Sequence, residues 1–279
     1  MELVTVYIST YNRLSRLKRA LESVQKQTYK NIEILVSDDC SNDGTNDFMM
    51  KYCNKHSNTR YLRNERNSGA CITRNNAIFS ARGKFITGLD DDDEFTEDRI
   101  SCFIDKWDDK YSFICANFIE KYPEGLNQDY YNVTSDTINS YKSLLFENIA
   151  SNQVFTLTKN LIGIGGFSPQ VKRLQDWDTW LRLSYKYGDF LYLNKTLYVM
   201  HHDHNFNESR VSSSYSLTNA IEDFLIRNKE IFGSDYKRRK CYVDYLNYRL
   251  TLFNAIYWSY IEKDFRNFLR FFYQKFKKR

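Results

Sequence analysis

Val4-Thr5-Val6-Tyr7-Ile8 is a short apolar run of buried-strand character that ends at Ser9-Thr10-Tyr11-Asn12. Leu17, Leu21 and Val24, with Ala20 beside them, recur at helical spacing, and Gln27-Thr28-Tyr29 closes that helix. Ile32-Glu33-Ile34-Leu35-Val36 predicts a second strand, stopped by the turn formers from Ser37 to Gly44. The pattern then predicts a helix over 45–53, a short strand near 60–62, a helix over 69–81 and a strand over 84–89. That last strand runs into Asp90, Asp91, Asp92 and Asp93. Such alternation predicts an α/β fold, a mostly parallel sheet with helices on both faces. Ligands of these sheets sit beyond the carboxyl ends of the strands. Three polar clusters fall there: Ser9 to Arg13, Ser37 to Ser41, and Asp90 to Asp93.

Past residue 100 the periodicity loosens. Short aromatic strands and polar turns mix over 111–160, followed by a glycine turn, Gly163-Ile164-Gly165-Gly166-Phe167, and a helix beginning near Asp176-Trp177-Asp178. From about Ser216 onward the pattern is helical and rich in tyrosine and phenylalanine. With 42% hydrophobic and 27% charged residues in 279, the chain can build a core, and disorder is not expected. No stretch approaches 18 uninterrupted apolar residues and the mean hydropathy is −0.62, so no membrane-spanning helix is expected. The first residues read as a strand rather than a signal peptide. Six cysteines without a C-x-x-C pair suit thiols in a reducing cytoplasm and exclude zinc knuckles.

The net charge of +5 is concentrated. Residues 264–279 carry six basic side chains against Asp264, and the remainder sums to zero. No nucleic-acid partner is expected of a neutral body. Phe265, Phe268, Leu269, Phe272 and Phe276 would share one helical stripe flanked by basic residues. That stripe suits an anionic membrane surface, or packing on the body or within a homodimer.

The aspartate run is either a solvated acidic turn or a cation site. Four carboxylates crowded at a strand end repel one another, and hard oxygen donors suit Mg²⁺ or Mn²⁺ with a phosphate-bearing substrate. Asp38-Asp39 reads equally as an acidic turn or a helix-capping cluster. Arg13, Arg74, Lys172 and Arg173 are either surface charges or phosphate contacts. His201, His202 and His204 surround Asp203, as metal-site or as packing histidines. Trp177 reads as core or as a platform for an acceptor sugar.

Taken in order, the pieces resemble a known family. Ile8-Ser9-Thr10-Tyr11-Asn12-Arg13, Gln27-Thr28-Tyr29, Val36 to Thr45, Arg63-Asn64-Glu65, Thr73-Arg74-Asn75, Gly83 to Ile86 and Leu89 to Asp93 are similar to the opening of family 2 glycosyltransferases of the GT-A fold. The likeness resumes from Gly165-Gly166-Phe167 to Arg182. It implies that Ser9, Tyr11 and Asp39 hold the uridine of a UDP-sugar donor, Asp39 accepting from the uracil N–H. Arg13 and Arg74 would lie near the base and diphosphate. Asp90 and Asp92 form the D-x-D pair, Asp90 toward ribose or sugar and Asp92 on a Mn²⁺ or Mg²⁺ ion. Asp91 joins the donor-binding set and Asp93 orients the donor sugar. His204 matches a histidine that reaches the metal or the diphosphate. Asp176 takes the place of the catalytic base, although Gln175 stands where the family has a glutamate. Asp178 is the reserve candidate, and an N-cap role is the bland reading of Asp176.

The resemblance further implies a metal-dependent inverting transfer of a hexose, galactose or glucose. The acceptor would be a glycan or lipid-linked sugar, such as undecaprenyl-diphosphate-linked GlcNAc, in O-antigen or capsule synthesis. The expected layout is a GT-A domain over 1–215, its first 100 residues binding the nucleotide-sugar and 101–215 the acceptor, then a helical region over 216–279. The expected location is cytoplasmic, peripheral at the inner membrane. A nucleotidyltransferase would want a glycine-rich phosphate loop after the first strand, which Ser9 to Arg13 does not supply. A non-catalytic nucleotide-sugar-binding module is disfavoured by the joint presence of Asp39, Asp92 and a base.

Overall fold

The computed structural model describes residues 1–123, 125, 127–129, 134–150, 153–203 and 215–277. The predicted alternation forms β1 (Val4–Thr10), α1 (Leu14–Gln25), β2 (Ile32–Asp38), α2 (Thr45–Lys55), β3 (Thr59–Arg63), α3 (Ala70–Ser80) and β4 (Phe85–Asp90). β1 and β2 are buried along nearly their whole length, as strands covered on both faces must be. α1 turns Leu17, Ala20, Leu21 and Val24 inward, each at most 2% exposed, the i, i+3, i+4, i+7 stripe that packs a helix on a sheet.

After β5 (Glu94–Phe95) and α4 (Arg99–Lys106) come β6 (Ile114–Lys121), β7 (Asn127–Asp129), β8 (Thr137–Asn139), β9 (Phe155–Leu157), α5 (Thr158–Gly163), α6 (Gln175–Tyr187) and β10 (Phe190–His201). The sheet runs β3-β2-β1-β4-β9-β6-β10-β5, with β7 on β6 and β8 on β10. β3-β2-β1-β4 and the β6–β10 pair are parallel, whereas β9 enters antiparallel between β4 and β6. The register sets Ser9 opposite Ser37 on one side and Asp90 on the other, so the predicted polar clusters do meet at one edge. Phe85, Phe103, Trp107 and Phe155 fill the layer beneath β4 and β9 with stacked and edge-on rings.

The described residues divide into two compact units, one within Met1–Gln170 and Gln175–Glu208, the other within Val171–Leu174 and Ser209–Arg279. The second contains α7 (Leu217–Arg227), α8 (Lys229–Phe232), α9 (Asp235–Leu246), α10 (Leu252–Ile261) and α11 (Arg266–Lys277). Cys241, Leu250 and Ala255 form a small core there with Tyr245, Trp258 and Phe271. Among the described residues no helix is long and apolar enough to cross a membrane.

Candidate active site

The loops after β1 and β2 are stitched together before any ligand is considered. Asn12 N donates to Ser41 Oγ at 2.8 Å and Asn42 N to Asn12 Oδ1 at 2.8 Å. Asn12 and Cys40 take left-handed φ values of 53° and 67°, which turn the chain sharply at both strand ends. The two acids of β2's end then separate in role. Asp38 is fully buried and builds the turn, accepting from Ser41 N at 2.9 Å and Tyr61 Oη at 2.6 Å. Asp39 points toward the start of α3, accepting from Asn64 Nδ2 at 2.8 Å, Ser68 N at 2.7 Å and Gly69 N at 2.8 Å. Those three bonds orient its carboxylate and leave one lone pair of the usual four.

The aspartate run splits into alternate pairs. Asp91 and Asp93 are buried at 4% and 3% exposure, while Asp90 and Asp92 reach solvent with 23% and 13% of their side chains. Asp91 accepts from Thr10 Oγ1 at 2.7 Å and Arg13 Nη1 at 3.0 Å; burial and the charge of Asp92 push its carboxyl up to about 6. Asp93 accepts from Tyr198 Oη at 2.8 Å and His201 N at 2.9 Å, and burial raises it well above the ordinary carboxylate range. Arg13 Nη1 also bonds Asp92 Oδ2 at 3.0 Å, and Arg19 donates to the Asp92 carbonyl. Four carboxylates thus crowd one strand end, and Asp90 and Asp92 reach solvent there beside Arg74 and Arg13. This suits an ion of the Mg²⁺ or Mn²⁺ type, which is held by one or two carboxylates plus substrate phosphates. Among the described residues no cluster of three ligating side chains is arranged to hold a metal by protein groups alone.

Opposite the run, Arg74 on α3 links β4 to α6. Its guanidinium donates to Asp90 Oδ1 at 3.1 Å and Gln175 Oε1 at 2.8 Å, stands 3.9 Å from Asp176 Oδ1, and lies over the Phe167 ring. Asp176 Oδ1 is buried and receives no hydrogen bond. Burial pushes this carboxyl up to about 7, against the pull of Arg74 and with a further push from Asp90. An ordinary carboxylate would titrate near 4. Asp176 lies inside the first turn of α6, which begins at Gln175, so it is not the helix cap.

Asp178 is 2% exposed and bound to Arg182 Nε at 2.9 Å; Arg182 in turn donates to the carbonyls of Ile164 and Gly166 at 3.0 and 2.9 Å. Asn75 closes the same turn from α3, exchanging two bonds with the Phe167 backbone at 2.7 and 2.8 Å. Gly166 has φ +64° and its missing Cβ would lie 2.3 Å from Asn75 Oδ1.

Ser9, Asp39, Arg13, Arg74, Asp90, Asp91, Asp92, Asp93 and Asp176 therefore all lie on the β1-β2-β4 edge and the helices joined to it, with Tyr11 45% exposed beside them. Lys172 and Arg173 belong to the second unit, where they meet Tyr215. His204 lies outside the described residues. His201 pairs with Glu94 at 3.2 Å, with burial holding its pKa low, and His202 stacks on Tyr122 and meets Glu120 at 3.0 Å. Trp177 is core, 8% exposed, donating to the Leu144 carbonyl at 2.6 Å. Sequence reasoning missed Gln153, whose amide bridges Tyr7 Oη at 3.2 Å and Asp90 Oδ1 at 3.0 Å. Gly88 makes room for it, since a Cβ there would clash with Gln153 Oε1.

A mixed sheet whose β3-β2-β1-β4 half is parallel, with an acidic strand end and helices around it, is the architecture of the GT-A fold. The Staphylococcus aureus TarS fragment 1–349, solved with UDP-GlcNAc, shares it: TM-score 0.70 at 18% identity, over 98% of this chain and 79% of that one. The Glycosyl transferase family 2 model matches residues 5–170, and the chain belongs to that family. Over 264 residues it is 31% identical to WcaA of Escherichia coli K12, covering 89% of this chain and 90% of that protein, which is named for glycosyl transfer in colanic acid biosynthesis. A second Escherichia coli relative, WfaP, is named a UDP-Glc:α-D-GlcNAc-diphosphoundecaprenol β-1,3-glucosyltransferase. It is 41% identical over 101 residues, 36% of this chain and 39% of its own length. The chain is thus a glycosyltransferase with relatives in bacterial polysaccharide and lipid-linked sugar synthesis.

Proposed function

We propose that the protein transfers a hexose, glucose or galactose, from a UDP-sugar to a lipid-diphosphate-linked GlcNAc or a growing glycan, with inversion. Asp176 carries this reading. It is a carboxylate with an oxygen that receives no hydrogen bond, joined through Arg74 to Asp90 at the end of the aspartate strand. A base needs a free acceptor within reach of the sugar hydroxyl, and Asp178 is instead 2% exposed and paired with Arg182.

Asp176 takes the proton as the acceptor oxygen bonds to the anomeric carbon and the bond to the UDP oxygen breaks on the opposite face. An α-linked donor thus yields a β-linked product. Arg13 and Arg74 lie where charge collects on the departing diphosphate. Asp39, Ser9 and Tyr11 hold the uridine, Asp39 using its remaining lone pair for the uracil N–H. Asp90 and Asp92 would hold Mn²⁺ or Mg²⁺, which when bound offsets the charge of the leaving UDP. Asp91 and Asp93 act from beneath, fixing the strand end that aims their neighbours. The lipid-linked acceptor of WfaP supports work at the cytoplasmic face of the inner membrane.

Calorimetric titration with UDP, with and without Mn²⁺, tests the reading. Binding strengthened by the metal is expected, and an Asp92→Asn variant should lose that gain. No UDP binding under either condition, or an α-linked product from an α-linked donor, would sink it.

A further inference from the structure

The last two helices leave much of their apolar surface uncovered. On α11 the deeply buried side chains are two amides seven residues apart, Asn267 and Gln274, at 5% and 3% exposure. Asn267 Nδ2 donates to Glu262 Oε2 at 3.0 Å; Gln274 accepts from Leu250 N at 3.2 Å and donates to the Leu250 carbonyl. On α10 the buried positions are Ala255 and Ser259, the serine accepting from Phe268 N at 2.9 Å. Trp258 and Phe271 reach the small core, but most of the large apolar side chains point outward: Phe253, Tyr260, Phe265 and Phe276 are 76%, 81%, 77% and 76% exposed, and Leu269 is 64% exposed. A helix hairpin ordinarily turns its apolar stripe toward its neighbour. A contiguous patch left outside marks a partner or a membrane.

We infer that this face lies on an anionic lipid bilayer. Exposed Arg266 and Lys275 lie on opposite flanks of the apolar arc of α11, and residues 252–279 hold seven basic and two acidic side chains, a net +5. Aromatic side chains at the acyl boundary with basic ones at the phosphates is the composition of an interfacial helix. With 10 and 12 residues, α10 and α11 are roughly 15 and 18 Å long, short of the ~30 Å hydrocarbon core, so they lie along the surface. A cleft of about 330 Å³ beside them sets Arg249 and Lys275 against Tyr248, Leu252 and Phe271, a basic and apolar lining suited to a phosphate headgroup. Two-fold pairing with a second copy would instead bring like charges of the same patch together. The inference rests on the proposed function only in placing the acceptor in the membrane.

Cosedimentation of the full chain with vesicles tests it. Vesicles of equal phosphatidylglycerol and phosphatidylcholine should bind the chain, and phosphatidylcholine alone at least about tenfold more weakly. Replacing both Arg266→Gln and Lys275→Gln should weaken binding about 30-fold. Replacing both Phe265→Ser and Phe276→Ser should weaken it at least about tenfold. These positions are exposed, and Arg266 gives up only a surface pair with Asp264, so UDP binding should be unchanged in every variant. Equal binding to both vesicle types, or none, overturns the inference. So does a dimer in light scattering that the phenylalanine variant dissociates. A chain that binds UDP but no vesicle sinks this inference alone; one that binds vesicles but not UDP sinks the transferase reading alone.

Discussion

Asp176 combines opposite demands. Its folded pKa near 7 exceeds the unfolded value of about 4, so folding favours the protonated form. That contribution is complete below about pH 4 and is lost as pH rises through about 7. Catalysis needs the ionised form, so kcat/KM should rise with pH through about 7 while thermal stability falls over the same window. Asp176→Asn should lower kcat by about 10³-fold, leave UDP affinity unchanged, and melt higher than the parent at pH 8. A variant that keeps its turnover would remove Asp176 as the base. The motif alone left Asp176 and Asp178 open. What separates them is Arg182, which four residues of helix bring onto Asp178 and which the glycine turn then fixes from its carbonyls.

The turn before α6 is held by contacts from α3 and from α6 itself. Gly166→Ala would drive a Cβ into Asn75 and strain a left-handed backbone. We expect a loss of about 1–3 kcal/mol in denaturant unfolding, with turnover falling because Asp176 is aimed from there. Asp178→Ala strands the Arg182 charge and should cost about 3 kcal/mol, yet leave UDP affinity intact, since the uridine side rests on β1, β2 and α3. The strands β1, β2 and β4 were readable because parallel strands buried on both faces are continuous apolar runs. The antiparallel β9 between β4 and β6 was not: it is three residues long, and its place depends on partners some 40 and 70 positions away.

At the scale of the whole molecule, we expect the fold to hold without a metal. Thr10, Arg13, Tyr198 and the His201 amide already satisfy the buried carboxylates. Chelation by EDTA should therefore abolish turnover and weaken UDP binding while leaving the melting temperature unchanged. A melting point that drops sharply would make the ion structural. The family, the strand-end placement of Ser9, Asp39 and Asp90, and the basic tail follow from order and composition along the chain, because hydrophobic period and local turn chemistry act over a few residues. Which aspartates of the run face outward, which acid of α6 keeps a free oxygen, and which faces of α10 and α11 remain uncovered were decided by folding alone. Each depends on burial and on partners such as Tyr198, Arg182 and Leu250, and burial is a property of the packed chain rather than of any stretch of it.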